Sequence, residues 1–285
     1  AEDLASCIDT DTKAIFIENL ANPAFSIPDY EPIVDLARKH GICVLTDNTF
    51  GMGGYLFRPF DWGVNVSVHS ATKWICGHGT ALGGVVVDGG NFDWTPERYP
   101  LLAAPSESYH GVVYTEVFGR AAFAGRVRVD GLRNLGPAPS PFNSFLMLQG
   151  LETLSLRAER CCENTLALAE FLEKHPSVES VNYPGLKSNP YHILGKKYLK
   201  HGFGGVLTFR TKGGFDAAAA LVDRLELILH VGSVGDAKSL IVHPASTTHS
   251  QLSPSEQVAA GVYPNMLRLS VGIENIDDLI YDLKN

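Results

Sequence analysis

Short apolar runs bounded by glycine or polar residues recur along the chain and alternate with stretches where apolar positions return every three or four residues. Residues 14–18 (Ala-Ile-Phe-Ile-Glu) read as a buried strand. Residues 27–40 place Ile33, Val34, Leu36 and Ala37 at helical spacing, with Pro28 near the start and Gly41 just past the end, the signature of an amphipathic helix between its stop signals. A strand at 42–46 follows at once. Strand, helix, strand is the unit that builds a parallel sheet, and valine-rich runs at 64–68 and 84–87 suit a sheet covered on both faces. From 88 to 141 the periodicity loosens into aromatic, proline- and glycine-containing sequence, a large excursion with a helix expected at 117–129. A long helix is predicted from 141 or 143 to about 174, broken near Gly150. Beyond it, strands are expected at 178–182, 205–210, 239–242 and 266–271, with helices at 215–227 and 276–283, a smaller α/β layer. The reading is an α/β chain in two parts, 1–150 and 151–285.

Composition changes this picture little. The chain has 285 residues, 45% of them hydrophobic and 19% charged, with a net charge of −8, which suits a globular enzyme and is too apolar for disorder. Lysines and arginines are scattered, so no basic face for nucleic acid is expected. No apolar run approaches the roughly 20 residues of a membrane span. The five cysteines, Cys7, Cys43, Cys76, Cys161 and Cys162, lack metal spacing, and a reducing, cytoplasmic setting is expected. The sequence opens on Ala1-Glu2-Asp3-Leu4 without methionine or targeting segment, and is read as entering a fold partway.

Two strand ends carry the chemistry. One delivers Asp47; the next delivers His69-Ser70-Ala71-Thr72-Lys73. In parallel sheets ligands collect beyond the carboxyl ends of strands, where the connecting loops converge. A lone carboxylate, two hydroxyls and a lysine at such positions are what pyridoxal 5'-phosphate requires. The lysine holds the aldehyde as a Schiff base, Ser70 and Thr72 bind phosphate, and Asp47 keeps the ring nitrogen protonated. Each residue alone has a plainer reading: Asp47 as the start of a turn with Asn48 and Gly51, Lys73 as a solvated surface lysine, Ser70 and Thr72 as caps. Gly77-His78-Gly79 and Gly83-Gly84 lack the spacing of a dinucleotide-binding loop.

The ordered segments Asp47-Asn48-Thr49-Phe50, Ser67 through Lys73, Gly77-His78-Gly79, His243 through His249 and Arg268 through Glu274 closely resemble the Cys/Met-metabolism family of pyridoxal phosphate enzymes. Within it, the stretch from Asn91-Phe92-Asp93-Trp94 through Ser140-Pro141-Phe142-Asn143 to Leu148 through Leu154 resembles the O-acetylhomoserine sulfhydrylase (homocysteine synthase) branch. The resemblance implies an aspartate aminotransferase-like fold (fold type I), with a large cofactor domain and a smaller carboxyl-terminal one. It implies γ-replacement on an amino-acid substrate, with sulfide adding to give homocysteine; cystathionine γ-synthase or methionine γ-lyase chemistry is the alternative within the class. It assigns Lys73 as the Schiff-base lysine, Asp47, Ser70 and Thr72 to the cofactor, Asn22 to cofactor and substrate, and Arg268 and Ser233 to the substrate. Asn22 could equally be a turn residue before Pro23, and Arg268 could face solvent from a strand. Relatives carry a further amino-terminal third with phosphate-binding and ring-stacking residues. A homodimer or homotetramer is therefore expected, with a separate amino-terminal fragment as a conceivable partner and an inactive fragment as the alternative from another class.

Overall fold

The computed structural model describes residues 2–284; Ala1 and Asn285, the outer ends of the two expected parts, lie outside the described residues. A short helix, α1 (Glu2–Ser6), precedes β1 (Ala14–Glu18), α2 (Tyr30–Lys39) and β2 (Cys43–Asp47). Two 3-10 turns lead to β3 (Val66–Ser70), and β4 (Gly84–Asp88) follows. The four strands form one sheet in chain order, with β1, β2 and β3 parallel and β4 antiparallel at the edge. Its three parallel strands therefore end side by side.

The two faces of the central strands β2 and β3 are covered by different pieces of sequence, whereas Phe16 of β1 and Val85, Val86 and Val87 of β4 are exposed, so the expected cover on both faces does not reach the sheet's edges. Val34 and Ala37 of α2 pack with Ile15 and Val44 on one face, together with Trp74 and Tyr30. The excursion after β4 covers the other. It contains α3 (Pro100–Ala103), α4 (Tyr114–Phe118) and α5 (Ala122–Arg126), and sets Trp94, Tyr99, Leu102 and Tyr114 against Cys43 and Val66. Tyr99 ties it down: its hydroxyl accepts from the Cys43 N–H at 3.1 Å and lies within 3.0 Å of the carbonyls of Lys13 and Gly41.

Next come α6 (Pro141–Glu152) and α7 (Leu154–Glu173), then β5 (Val178–Asn182), α8 (His192–Tyr198), β6 (Val206–Thr211), α9 (Gly214–Arg224), β7 (Leu229–His230), β8 (Leu240–Val242), α10 (Pro254–Ala259), β9 (Met266–Ser270) and α11 (Ile276–Lys284). The second sheet runs β5-β6-β9-β8-β7 and is antiparallel except between β7 and β8. Helix α7 serves both sheets. Leu154, Ala158 and Cys162 belong to the core of the first, while Leu168, Ala169 and Leu172 belong to that of the second.

Several predicted boundaries move for identifiable reasons. Helix α2 begins at Tyr30 rather than Ile27; Asp29 before it is extended, and its carboxylate is engaged by Lys197 and the Tyr198 hydroxyl instead of capping the helix. The helix expected at 117–129 is broken at Gly119, whose φ of 53° leaves the helical region, and its end widens into a π turn at Val127–Arg133. The long helix breaks at Thr153, not Gly150. Gly150 lies within α6, and a Cβ there would strike the Cys76 carbonyl oxygen, so glycine lets α6 lie directly on another backbone segment. Helices α8 and α10 were not anticipated.

Candidate active site

A cavity of about 320 Å³ opens where the carboxyl ends of β1, β2 and β3 meet the second sheet. Asp47 ends β2, and its Oδ1 accepts from the Thr49 N–H at 2.8 Å, which fixes the carboxylate as the chain turns away. The Thr49 hydroxyl in turn accepts from the Ser70 N–H at 2.8 Å, tying the ends of β2 and β3 together. Lys73 sits on the turn that follows β3 and lines the cavity beside Ser70. Its Nζ donates to Ser233 Oγ at 3.0 Å, so a hydroxyl and not a carboxylate holds the amine. Burial, with the Arg268 guanidinium adding repulsion, pushes the Lys73 ammonium below its ordinary range.

The opposite wall comes from the second sheet. Arg268 lies on β9 between β6 and β8, and at 7% exposure it does not face solvent. Its Nη1 donates to Asn22 Oδ1 at 3.2 Å and its Nη2 to the Ser233 carbonyl at 3.3 Å, which leaves three of the five guanidinium N–H groups unused in a side chain that lines the cavity. Burial lowers its pKa as well. The Asn22 backbone N–H donates to Glu18 Oε2 at 3.2 Å.

Of the seven residues singled out from sequence, six line this cavity: Asn22, Asp47, Ser70, Lys73, Ser233 and Arg268. Thr72 does not. Its hydroxyl is turned to Gly83, accepting from the N–H at 3.1 Å and donating to the carbonyl at 3.3 Å, and so pins the lysine turn to the start of β4. Glu18, Thr49 and Phe50 also line the cavity but were not assigned from sequence. For Thr49 the signal was present, since Asp-x-Thr at a strand end forms an Asx turn. Phe50 packs on Trp74 with ring centroids 5.1 Å apart and gives the cavity an aromatic wall.

These residues suit pyridoxal phosphate on their own chemistry. The amine has its charge disfavoured and carries no acidic partner, so it can condense with an aldehyde. Asp47 makes no ion pair among the described residues and remains available to a cationic ring nitrogen. Among the described residues no group of histidine, cysteine and acidic side chains is arranged to hold a metal, and no helix is long and apolar enough to cross a membrane.

Comparison with known proteins agrees with this geometry. The chain is 53% identical over 283 residues to O-acetyl-L-homoserine sulfhydrylase 1 of Thermus thermophilus, covering 99% of this chain and 67% of that protein. It is 52% identical over 282 residues to homocysteine synthase of Schizosaccharomyces pombe, covering 98% and 66% respectively. Among solved structures, an O-acetylhomoserine (thiol)-lyase of Campylobacter jejuni, described as carrying a pyridoxyl-lysine monophosphate, superposes with a TM-score of 0.94 at 44% identity over 99% of this chain and 68% of that one. The chain thus spans about two thirds of the length of these relatives. Its fold is the α/β fold of such pyridoxal phosphate enzymes, and since residues 1–285 match the family described as Cys/Met metabolism PLP-dependent enzyme, the chain belongs to that family.

Proposed function

We propose that the protein containing this chain forms homocysteine from O-acetylhomoserine and sulfide, a γ-replacement with pyridoxal 5'-phosphate as cofactor. The observation that carries this reading is the convergence of Lys73, Asp47 and Arg268 on one cavity, in a chain about half identical to enzymes named for that reaction. When bound, the cofactor supplies an electron sink that makes protons beside the substrate's amine removable and lets the γ-acetate leave.

The chain's own residues divide the remaining work. Lys73 would hold the cofactor and, as a free amine, would take the proton from Cα; burial, with repulsion from Arg268, lowers its ammonium pKa and favours the form that accepts a proton. Ser233 Oγ orients that amine. Asp47 holds the ring nitrogen protonated, and Ser70 meets the phosphate. Thr72 joins Ser70 only by releasing Gly83; in the described geometry it steadies the turn. Arg268, steadied by Asn22 and the Ser233 carbonyl, takes the substrate carboxylate in a two-point contact, which fixes the bond to be broken relative to the ring. The proposal extends to a homodimer or homotetramer in the cytoplasm, supported by the resemblance to a family whose sites straddle two subunits.

The test is to load the protein with cofactor, supply O-acetylhomoserine with sulfide, cysteine or water, and in a parallel series supply methionine alone. Homocysteine from sulfide is expected to dominate, and Lys73→Ala is expected to lose both turnover and the visible absorption of lysine-bound cofactor. Cystathionine as the main product, or methionine cleavage exceeding sulfide addition, would transfer the chain to another branch of the family. A protein that binds no cofactor even when joined to an amino-terminal fragment would leave this chain a structural piece.

A further inference from the structure

Arg157 of α7 is buried, at 5% exposure, and makes no ion pair among the described residues. A buried guanidinium with no ion-paired carboxylate is costly, and burial lowers its pKa, with the more distant Asp236 among the charges that oppose the shift. Its donors are nonetheless used. Nη1 donates to the Trp74 carbonyl at 3.0 Å, Nη2 to the Gly150 carbonyl at 2.5 Å, and Nε to Thr153 Oγ1 at 3.2 Å. The first acceptor belongs to the residue directly after Lys73; the other two lie at the joint between α6 and α7.

The surroundings are shaped to admit this contact. A Cβ on Gly77 would strike the Arg157 guanidinium, and one on Gly150 the Cys76 carbonyl. The turn closes on itself through the Gly77 N–H to the Lys73 carbonyl at 2.7 Å, and the Gly77 carbonyl accepts from the Ala237 N–H at 2.8 Å. The loop that carries Ser233 therefore rests on the same turn that Arg157 grips, and a Cβ on Gly235 would lie 2.8 Å from the Trp74 nitrogen. Lysine in place of Arg157 would gather its donors on one nitrogen and lose the planar fork that reaches Trp74, Gly150 and Thr153 separately.

We propose that Arg157 is a positioning residue for Lys73: by bridging the Trp74 and Gly150 carbonyls it fixes the lysine turn against the α6–α7 joint and so sets where the amine stands relative to Ser233 and Arg268. The inference rests on the proposed role of Lys73. Displacement of a reacting group by about an ångström costs on the order of a hundredfold in rate.

The experiment compares cofactor-loaded parent, Arg157→Ala and Arg157→Lys by three readouts: melting temperature, kcat and KM for the amino-acid substrate, and the pH midpoint at which the absorption of the lysine-bound cofactor changes. Arg157→Ala is expected to lose at least about tenfold in kcat with KM near the parent's, since Arg268 is untouched. The absorption midpoint is expected to move by about one unit, and added guanidinium at low millimolar concentration to restore part of both. Arg157→Lys is expected to fall between. Should the alanine variant not fold, the absorption midpoint of the lysine variant decides. A variant with a lowered melting temperature but parental kcat and midpoint would show a purely structural role and overturn the proposal. Failure of the underlying reading would look different: Lys73→Ala would keep the cofactor band.

Discussion

Replacing Arg268 with lysine separates charge from geometry at the proposed carboxylate site. The guanidinium can give a substrate carboxylate two parallel N–H bonds; an ammonium on a flexible stem gives one. Losing one charge-assisted bond costs about 1.5–3 kcal/mol. The bonds to Asn22 Oδ1 and the Ser233 carbonyl, at 3.2 and 3.3 Å, lie at the long end of the range, and losing them adds roughly 0.5 kcal/mol each. The sum is about 3 kcal/mol, or roughly a hundredfold in kcat/KM for the amino-acid substrate. The assay varies O-acetylhomoserine at saturating sulfide and then sulfide at saturating O-acetylhomoserine. The loss is expected in the first series, with KM for sulfide unchanged in the second. If Arg268→Lys keeps kcat/KM for O-acetylhomoserine within about threefold of the parent, a gap of under 1 kcal/mol, the two-point contact is refuted.

Other consequences can be measured without turnover. Because the folded Lys73 pKa lies below the ordinary 10.5, the unfolded chain binds more protons between the two values and stability rises with pH across that interval. The advantage in melting temperature of cofactor-free Lys73→Met over the parent should therefore shrink as pH climbs toward 10.5, and a pH-independent difference would contradict this. Asp282 accepts from the backbone N–H groups of Glu226, Leu227 and Ile228, of which the Ile228 bond is buried, so Asp282→Ala should cost about 1–3 kcal/mol in denaturant unfolding, the range for orphaning a buried donor. Gly150→Ala should lower the melting temperature although alanine is the better helix former; a rise would mean α6 does not rest on the Cys76 backbone. Burial pushes the thiols of Cys43 and Cys161 up to about 12 and that of Cys162 to about 11, whereas Cys7 is exposed. Brief alkylation at pH 8 followed by mass spectrometry should label Cys7 well ahead of these three.

Much of this was legible in the sequence, unevenly and for physical reasons. The strands of the first sheet are short apolar runs bounded by turn residues, so they and the residues at their ends could be read from the pattern along the chain; cover on both faces holds for β2 and β3 but not for Phe16 or the valines of β4. Asp47, Ser70 and Lys73 fall together because parallel strands in sequential order end at the same edge. Arg268 and Ser233 lie far along the chain, and only the family's motifs linked them to the cavity. Thr72 was assigned by its hydroxyl, but the hydroxyl's partner, Gly83, depends on how β4 returns antiparallel to β3. Helix α10 carried a readable sign, the capping box of Ser253 with Glu256 after which Pro254 begins the first turn. Arg157 had none, because a buried arginine that binds only carbonyls looks in sequence like any arginine on the polar side of a helix.

The Tyr99 anchor changes how the long segment after β4 should be regarded. Although it reads as an irregular insertion, Trp94, Tyr99, Leu102 and Tyr114, with Ala122 and Val129, wall the Cys43 and Val66 face, and one phenol satisfies the backbone at the root of β2. Trimming that segment would uncover Cys43 and Val66 on the strands that lead to Asp47 and Ser70, not shave an ornament from the surface. Any evolutionary gain or loss of this stretch must therefore have been accompanied by a rebuilt lining for the strand that presents the acid.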